Sequence, residues 1–570
     1  MFANTFGNGF ALDDNWFLVE NPVVTEARFS DAFLRASWPG ALEGTGNYRP
    51  LALSSFALEW SLWGDAPMGY HVVSVLVNGL VAVLAFFLLR AFFTPFAAGL
   101  GAVFFAIHPV HVEAVANVMG RSELYAALGY FGACLVYQYW RPTGHVRGAR
   151  LLAILLLFLV ALGGKEIAVT LPAMLLALEV YGGGTTDVVR RLRREALTYI
   201  GVFALMACYV VIRWNVLGDV TGESAAAGLA SLDARGRVLT ALAVWPHYLR
   251  LLFFPLDLSA DYSPAVLMPR TSVDDMVLLG GAILIATCCV AVLAWRRAPL
   301  IGFACAWFVI AISPVSNLVV RADVLLAERT LFLPSFGAAL AVAWVTRAVL
   351  ERPAGTPAAR RVAIAGAVVV GVLLSARTVT RNPTWFDTIT VFETLNEEHP
   401  ESWMTWRIRA IGLDSRGESD RAAEAWETAL SIAPDHYQLL VDAAEFFERT
   451  GQPERSERLL DRAVELLPGH PVAYQRLAEY RIRRGDGRGA HAAAAVGLRA
   501  ARPDPEIWAL LSETYVMKAD LEAAVRARRA SIDEEETEAG WLRLADLYDA
   551  LGRREDADVA RRAALQLRRG

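Results

Sequence analysis

Residues 71–93 read HVVSVLVNGLVAVLAFFLLRAFF, an apolar run long enough to cross the roughly 30 Å hydrocarbon core of a bilayer as a helix. Comparable runs follow at 96–114, 122–140, 196–216, 276–296, 299–317, 330–350 and 361–377, with shorter ones at 150–163 and 166–181. The composition agrees, because 55% of the 570 residues are hydrophobic, only 20% are charged and the mean hydropathy is +0.37. The sequence therefore predicts a polytopic helical membrane domain over residues 71–380.

Arginine placement orients these spans. Arginines cluster at 141–150, 190–194, 296–297 and 352–361, and connections rich in Arg stay on the cytoplasmic side of a membrane. If the chain crosses the membrane about ten times, all four arginine clusters lie on the cytoplasmic side. The polar loops that contain the motifs then lie on the opposite side. We therefore expect those loops to face the extracytoplasmic space. The net charge of −5 gives no basic footprint for nucleic acid.

A different kind of sequence begins near residue 400, rich in Arg, Glu, Asp and Ala. Glycines recur there with a period of 34 residues, at Gly417, Gly451, Gly485 and, two periods further on within one residue, Gly552. This period, with an amphipathic helix on each side of the glycine, is typical of tetratricopeptide repeats. We predict a repeat solenoid over 401–570, after a linker at 381–400, and hence an all-α chain. Such solenoids present a concave binding surface, and a plain scaffold is the alternative.

Two adjacent acids precede the first apolar run. Asp13 and Asp14 lie in FGNGFALDDNWFLVENP, residues 6–22. One carboxylate of such a pair can act as a general base while the other orients it or a metal. A turn or a helix cap explains an Asp-Asp-Asn sequence as well. We interpret residues 1–70 as an outer-face loop that carries this acidic pair.

The segment AIHPVHVEAVANVMGRSE, residues 106–123, places several ionisable groups where one span ends and the next begins. Such groups are costly at membrane depth and therefore indicate a functional site. His108 and His111 would share a helical face and, with Glu113, could ligate a metal, although a metal is not favoured. The structural alternative is a polar cap in which Glu113 pairs with Arg121.

Two further segments supply cations. Lys165 is the only lysine among residues 1–380 of the sequence. It is next to Glu166, at the predicted tip of a short hairpin. A lysine can neutralise a phosphate as a compact point charge, and chance survival in an arginine-rich chain is the alternative. Glu328 and Arg329 lie between two later spans. A guanidinium there suits a lipid-linked phosphate, although interfacial arginines also snorkel without any ligand.

Six segments in a fixed order, followed by the repeats, carry a resemblance to a known family. They read FGNGFALDDNWFLVENP, NYRPLALSSFALEWSLWG, HPVHVEAVANVMGRSE, GGKEIAVTLP, HYLRLLFFPLDLSADYS and LLAERTLFLPSFG. The chain resembles the transmembrane and tetratricopeptide-repeat O-mannosyltransferases, which are GT-C-type glycosyltransferases. The resemblance implies inverting transfer of mannose from a polyprenyl or dolichyl phosphate to Ser or Thr hydroxyls of exported proteins, with the repeats positioning the acceptor.

The resemblance also implies roles for individual residues. In this family the acidic pair of the first outer loop carries the base, which assigns catalysis to Asp13 and Asp14. Lys165, Arg329 and Arg49 are expected to bind the donor phosphate. Other polar residues of the same face are expected to line the pocket: His108, His111, Glu113, Arg121, Glu166, Asp261, Tyr262 and Glu328. No metal site and no cofactor are predicted, because the lipid-linked sugar is a substrate.

Two departures and one alternative accompany the resemblance. Family members carry a transmembrane helix immediately before the FGNGF segment, so we expect one to be missing ahead of Met1. The Arg- and Ala-rich composition suggests a bacterial source, and thus the bacterial inner membrane, or the endoplasmic reticulum membrane for a eukaryotic source. The catalytic face and the repeats are expected to be extracytoplasmic. The alternative function is a non-catalytic scaffold that assembles envelope proteins; a transporter would instead predict polar residues throughout the membrane interior.

Overall fold

The computed structural model describes residues 1–37, 47–140, 146–182, 188–217, 229, 232–262, 266–320, 322, 324–350, 357–466, 471–500 and 505–567. Within these ranges the chain forms helices and connecting segments and contains no strand, which confirms the all-α prediction. The chain divides into two units, which we call the membrane unit, Met1–His399, and the repeat unit, Pro400–Gly570. Parts of two predicted arginine clusters, at 141–145 and 351–356, lie outside the described residues.

The membrane unit is built from α-helices of very unequal length. They are α1 Pro22–Thr25, α2 Asp31–Leu34, α3 Pro50–Trp63, α4 Pro67–Arg90, α5 Pro95–Ile107, α6 Val112–Ala116, α7 Arg121–Trp140, α8 Ala149–Gly164, α9 Leu171–Gly182, α10 Val188–Arg194, α11 Ala196–Leu217, α12 Ala234–Phe253, α13 Asp275–Leu293, α14 Pro299–Ile312, α15 Phe336–Leu350, α16 Pro357–Arg381 and α17 Thr388–Glu398. Short 3₁₀ or π turns lie at Phe2–Gly7, Asn15–Val19, Pro109–His111, Glu166–Thr170, Ser313–Val315, Glu328–Leu331 and Asn382–Trp385.

Several of these helices suit a bilayer by length and composition. Among the described residues, four are long and apolar enough to cross one: Pro67–Arg90, Ala196–Leu217, Asp275–Leu293 and Arg360–Trp385. The pair Pro95–Ile107 and Pro109–Ala116, bent by 48° at its break, would make a fifth. Shorter apolar helices occupy Ala149–Gly164, Pro299–Val315 and Phe336–Leu350. These helices fit the predicted membrane domain, and the predicted number of about ten crossings stays a prediction.

Glycines allow α7 and α8 to approach each other closely. A Cβ at Gly129 would lie 2.3 Å from the carbonyl oxygen of Leu157. At the end of α8, a Cβ at Gly164 would lie 2.6 Å from the backbone nitrogen of Ala126. Because a side chain at either position would push the helices apart, the two glycines hold the start of α7 against the residue that follows α8, Lys165.

The stretch 381–400, predicted as a linker, packs with the membrane unit through α17 and the turn before it. Trp385 and Val391 are buried in the same apolar core as the long helices. The first loop of the chain is fastened there, because Asn8 Nδ2 donates to the Trp385 carbonyl oxygen at 3.0 Å and the backbone N–H of Leu12 donates to Thr388 Oγ1 at 2.8 Å. These bonds fix the backbone immediately before Asp13.

Over the residues described after position 400, the repeat unit forms five consecutive helix pairs. Its helices are α18 Trp403–Ser415, α19 Ser419–Ile432, α20 Tyr437–Arg449, α21 Pro453–Leu466, α22 Pro471–Arg483, α23 Gly487–Ala500, α24 Pro505–Met517, α25 Leu521–Glu534, α26 Glu538–Ala550 and α27 Arg554–Leu567. Each pair buries small and apolar side chains between its two helices and against the next pair. The predicted repeat solenoid is therefore present.

The turn inside each helix pair requires a left-handed residue. Four pairs place glycine there, with φ of 77° at Gly417, 83° at Gly451, 76° at Gly485 and 76° at Gly552. The fourth pair places Ala519 at the equivalent turn, with φ of 60°. A glycine period alone misses this repeat, because the backbone conformation is kept while the residue type that favours it is lost.

Replacing Ala519 by Gly is expected to stabilise the repeat unit by about 1 kcal/mol, since a Cβ is disfavoured in the left-handed region. Gly485→Ala at the matching turn of the preceding pair is expected to destabilise it by a similar amount. Denaturant unfolding of the detergent-solubilised chain, followed by circular dichroism, measures both changes. A loss of stability in Ala519→Gly would contradict the assignment of this turn.

Candidate active site

Asp14 anchors the first loop to the segment that connects α6 and α7. Its carboxylate is 1% exposed and accepts backbone N–H bonds from Met119 at 2.7 Å, Val118 at 3.3 Å and Ala11 at 3.1 Å. Burial raises the pKa of Asp14 to about 7, while the three N–H donors act in the opposite direction. All of these bonds are made to protein backbone, so Asp14 holds the loop in position.

Asp13 is the less buried acid of the pair. It is partly buried, and its carboxylate makes no hydrogen bond or ion pair with any residue that the structure describes. Burial raises the pKa of Asp13, whereas the nearby guanidinium groups of Arg329 and Arg49 lower it and Glu113 raises it further. A carboxylate with a raised pKa and a vacant acceptor position is a competent general base.

The backbone around Asp13 is strained. Leu12 has φ of 51°, a region in which a branched residue is rare. Residues Asn15–Val19, directly after the acidic pair, form a π-helical turn. Both features concentrate at functional sites, because the surrounding structure must hold the chain in a costly conformation. Here the Leu12 hydrogen bond to Thr388 and the Asp14 bonds to the segment before α7 supply that restraint.

Glu113 binds Arg329, which interacts electrostatically with Asp13. The Arg329 guanidinium forms an ion pair with Glu113, and the backbone N–H of Arg329 donates to Glu113 Oε2 at 2.8 Å. The Arg329 side chain keeps 20% exposure, compared with 1% for Glu113. The Glu113 carboxylate thus binds both the backbone and the side chain of Arg329. Glu113 pairs with Arg329, and not with Arg121 as the structural alternative had it.

Lys165 and Arg49 are each held by a carboxylate as well. Lys165 forms an ion pair with Glu123, and the two side chains are 5% and 1% exposed. Arg49 Nη2 lies 3.3 Å from Glu166 Oε1. A buried ion pair has to be closely matched because both charges lose their hydration.

A further arginine, which the sequence analysis did not select, joins these pairs. Arg213 lies in the candidate span α11, is 6% exposed and interacts electrostatically with Glu166. An isolated arginine inside the apolar run 196–216 was the available signal, since ionisable groups within membrane spans default to functional roles. Electrostatic interactions connect the whole set. We call it the charged cluster, and its members are Asp13, Arg49, Glu113, Glu123, Lys165, Glu166, Arg213 and Arg329.

Arg121, predicted to line the pocket, contacts residues of α3 and α4, and its role in the pocket stays a prediction. It is fully buried, forms an ion pair with Glu59 of α3 and donates to the Tyr70 carbonyl oxygen at 2.6 Å. Its guanidinium also lies 4.9 Å from the ring centre of Phe56. The guanidinium therefore joins α7 to α3 and α4.

The two predicted histidines are buried and hydrogen-bonded within the protein. His108 Nε2 lies 3.0 Å from the Leu252 carbonyl oxygen, and its Nδ1 accepts from the Val110 N–H at 3.2 Å. His111 Nε2 lies 2.8 Å from Ser335 Oγ. With Glu113 bound to Arg329, these groups do not converge on a common point. Among the described residues, no three His, Cys, Asp or Glu side chains are grouped so that they could hold a metal ion.

Glu328 and Tyr262 form a neighbouring polar pair. Glu328 Oε1 accepts from the Tyr262 hydroxyl at 2.9 Å and from the Ser259 N–H at 2.6 Å. Burial raises the pKa of Glu328 to about 8, although Arg381 lowers it. Asp261 takes part through its backbone, whose carbonyl oxygen accepts from Ser259 Oγ at 2.7 Å. These bonds shape the loop after α12, while Arg329 next to Glu328 extends into the charged cluster.

Comparisons with known proteins agree with this architecture. A tetratricopeptide-repeat family model matches residues 438–480. The chain is 33% identical to "Protein O-mannosyl-transferase Tmtc2" of Drosophila melanogaster over 291 residues, which are 48% of this chain and 30% of that protein. It is 26% identical to "Protein O-mannosyl-transferase TMTC4" of Mus musculus, over 67% of this chain and 58% of that protein. It therefore spans between about a third and three fifths of these relatives.

The fold and the relatives together define a class: an all-α membrane protein with a repeat solenoid. Within that class, the comparisons confirm the predicted resemblance to the TMTC-type protein O-mannosyl-transferases. Among solved structures, a crystal structure of MamA matches 28% of this chain and 92% of its own, at 18% identity and a TM-score of 0.26.

The two adjacent acids are expected to respond differently to the same substitution. Asp14→Asn places an amide NH₂ against a backbone N–H donor and is expected to weaken the loop anchor by about 1–3 kcal/mol. Asp13→Asn, which breaks no hydrogen bond among the described residues, serves as the matched control. Hydrogen exchange at the Met119 amide measures the effect. Equal protection in both variants would show that Asp14 does not anchor the loop.

Proposed function

We propose that the chain is an inverting GT-C-type glycosyltransferase of the membrane. It moves a mannosyl group from a polyprenyl or dolichyl phosphate to a Ser or Thr hydroxyl of an exported protein. Three observations support this: the resemblance to protein O-mannosyl-transferases, the charged cluster and the repeat unit. The arginine clusters of the sequence orient the charged cluster toward the extracytoplasmic side of a multi-pass protein.

The observation that carries the proposal is the carboxylate of Asp13, which forms no hydrogen bond with a described residue and interacts electrostatically with Arg329 and Arg49. In the reaction Asp13 accepts the proton of the acceptor hydroxyl, and the hydroxyl oxygen attacks the anomeric carbon of the sugar. A new carbon–oxygen bond forms as the bond between the anomeric carbon and the phosphate oxygen breaks. The leaving phosphate takes that electron pair, so atoms and charges balance without a metal or a redox partner.

The cations of the cluster stabilise the leaving phosphate. Arg329, Lys165 and Arg49 are each paired with a carboxylate and can redirect hydrogen bonds to the phosphate oxygens. Cationic donors that bind the phosphate stabilise the charge that develops on it and therefore lower the barrier. Arginine adds bidentate geometry and lysine a compact charge.

An apolar groove between α5 and α16 supports a lipid-linked donor. Its volume is about 640 Å³, and its lining runs from Val103 to Ile107 on α5 and from Val368 to Thr380 on α16. Ile107, one of the residues that line the groove, directly precedes the His108 segment that leads to Glu113. A polyprenyl chain lying there would bury its methyl and methylene groups against valines and isoleucine.

The repeat unit offers a cavity suited to an acceptor polypeptide. It has a volume of about 370 Å³ and combines apolar and charged groups, namely Val441, Glu445, Glu448, Arg449, Ser456, Leu460, Arg476 and Arg483. The Ser456 hydroxyl is buried without a partner among the described residues. Arg483 Nη2 lies 2.7 Å from Glu448 Oε2 and Arg476 Nη2 lies 3.7 Å from Glu445 Oε2. Exposed pairs of this kind are weak and can open to bind a peptide.

The direct test of the base is Asp13→Asn. Without a proton acceptor, transfer from mannosyl polyprenyl phosphate to an exported acceptor protein is expected to fall about 100- to 10,000-fold. Radiolabelled mannose incorporation by the purified chain in liposomes measures it. Glu20→Gln, an exposed acid in the same loop, is the control and is expected to leave transfer unchanged.

A fully active Asp13→Asn variant would exclude Asp13 as the base. If Asp13→Asn also supported normal assembly of envelope proteins while removal of residues 400–570 abolished it, the non-catalytic scaffold would be the correct function. Wild-type chain that transfers no mannose in this assay, although it binds the lipid phosphate, would lead to the same conclusion.

Acceptor positioning by the repeat unit has its own test. Replacing Arg476 and Arg483 together by Ala is expected to raise KM for a full-length acceptor protein by about tenfold, the effect of losing a binding hot spot. Transfer to a short Ser/Thr peptide should be unchanged. Arg462→Ala, an exposed arginine on α21 outside the cavity, is the control. Equal losses with protein and peptide would contradict a docking role.

A further inference from the structure

The cavity of the repeat unit has a buried apolar part and an exposed charged part. It lies between α20, α21 and α22. Val441 of α20 and Leu460 of α21 are almost fully buried, and so is Ser456 of α21. The side chains of Glu445 and Arg483, in contrast, are more than half exposed, at 62% and 54%. A bound side chain would therefore meet apolar groups inside the cavity and charged groups around its opening.

The Ser456 hydroxyl is the polar group of the buried part. It makes no hydrogen bond with any residue that the structure describes. Other hydroxyls of the repeat unit bond to the backbone: Thr450 Oγ1 donates to the Phe446 carbonyl oxygen at 2.9 Å, and Ser512 Oγ donates to that of Ala524 at 2.8 Å. A buried hydroxyl without a partner is costly, and a ligand that bonds to it removes this cost.

The charges around the opening are already paired. Every charged residue in the described lining has an ion-pair partner: Arg483 with Glu448 at 2.7 Å, Arg476 with Glu445 at 3.7 Å, and Arg449 with Asp414. A charged side chain that entered the cavity would lose its hydration and find no uncompensated charge to pair with. We therefore expect the occupant to be a neutral side chain with an apolar body and a polar tip.

The arginines at the opening favour an aromatic body. Arg476 and Arg483 line the cavity, and a guanidinium stacks favourably on the face of an aromatic ring. The repeat unit contains such a contact, since the Arg455 guanidinium lies 3.8 Å from the ring centre of Phe447. The volume of about 370 Å³ leaves room for a large side chain.

Among neutral aromatic side chains, tyrosine suits Ser456 best. Tyrosine and tryptophan both combine a large apolar ring with a polar tip. The tyrosine hydroxyl can donate or accept, as the serine hydroxyl can, whereas the indole N–H of tryptophan only donates. A tyrosine can therefore bond to Ser456 whichever role the serine hydroxyl takes.

We propose that the cavity of the repeat unit binds a tyrosine side chain of the acceptor polypeptide. The ring packs on Val441 and Leu460, and the tyrosine hydroxyl forms a hydrogen bond with Ser456 Oγ. This inference rests on the proposed function and deepens it, because it states which side chain an acceptor presents in addition to the Ser or Thr that receives the sugar. Buried tyrosines are among the residues that dominate binding at protein interfaces.

The test first selects ligands and then measures one contact. A random peptide library is selected by mRNA display on the full chain in nanodiscs, and the selected peptides are expected to share a tyrosine. Binding of one such peptide, and of its analogue with phenylalanine in place of tyrosine, is then measured by fluorescence polarisation. The chains compared are wild type, Ser456→Ala and the control Ser431→Ala, whose hydroxyl bonds to the Thr428 carbonyl oxygen outside the cavity.

The two substitutions are expected to depend on each other. Phenylalanine in place of tyrosine should weaken binding to wild type and to Ser431→Ala by about three- to tenfold, the effect of losing a neutral hydrogen bond. In Ser456→Ala the same replacement should have no further effect. Thermal unfolding followed by circular dichroism should give Ser456→Ala the midpoint of wild type, because the hydroxyl has no described partner to lose.

Three results would overturn the proposal. They are a selection without a preference for tyrosine, an equal effect of phenylalanine in wild type and Ser456→Ala, and a lower unfolding midpoint of Ser456→Ala, which would show that its hydroxyl already has a partner. The second measurement on wild type does not depend on the folding of any variant.

The outcomes also separate this inference from the function beneath it. A chain that transfers mannose but selects no peptide would overturn the tyrosine site and leave the transferase in place. A chain that selects tyrosine peptides but transfers no mannose would support the tyrosine site and contradict the proposed function instead.

Discussion

The charged cluster of the membrane unit is organised by one requirement: charges that are buried against apolar helices must be paired. A desolvated carboxylate or guanidinium costs several kcal/mol, on the order of the whole stability of a domain, unless a partner meets it at close range. Glu113 with Arg329, Glu123 with Lys165 and Glu166 with Arg49 satisfy this requirement. Each pair joins segments far apart in sequence. The ion pairs therefore hold the loops of the site in place as well as supplying its chemistry.

The sequence predicted much of the architecture because periodicity is a property of backbone geometry. The apolar runs and the 34-residue glycine spacing follow from helix length and from left-handed turns. Both are local features that do not depend on which segments pack nearby. Ala519 shows the limit: the turn keeps its positive φ after the glycine is gone. Pattern recognition depends on residue types, whereas folding depends on conformations, and the two diverge at such positions.

Pairing at the site could not be predicted in the same way. The segment 106–123 suggested that Glu113 and Arg121 pair, since they are near in sequence, yet Glu113 binds Arg329 and Arg121 binds Glu59. The order of packing around α7 decides these partners, and no local spacing encodes it. Likewise, the sequence alone does not distinguish Asp13 from Asp14, because they are adjacent residues of the same type. Only the backbone donors at Val118 and Met119 distinguish the acid that anchors the loop from the one left to react.

In the proposed reaction, negative charge moves from the base to the leaving group. As Asp13 takes the proton, it loses its negative charge, and the leaving phosphate gains one. The negative charge thus moves from the Asp13 carboxylate, where Glu113 opposes it, to the leaving phosphate, which the cations of the cluster stabilise. The total charge of the site does not change, so no counter-ion has to enter from water. Cations that meet the charge developing on the leaving phosphate stabilise the transition state more than the bound donor, which is what catalysis requires.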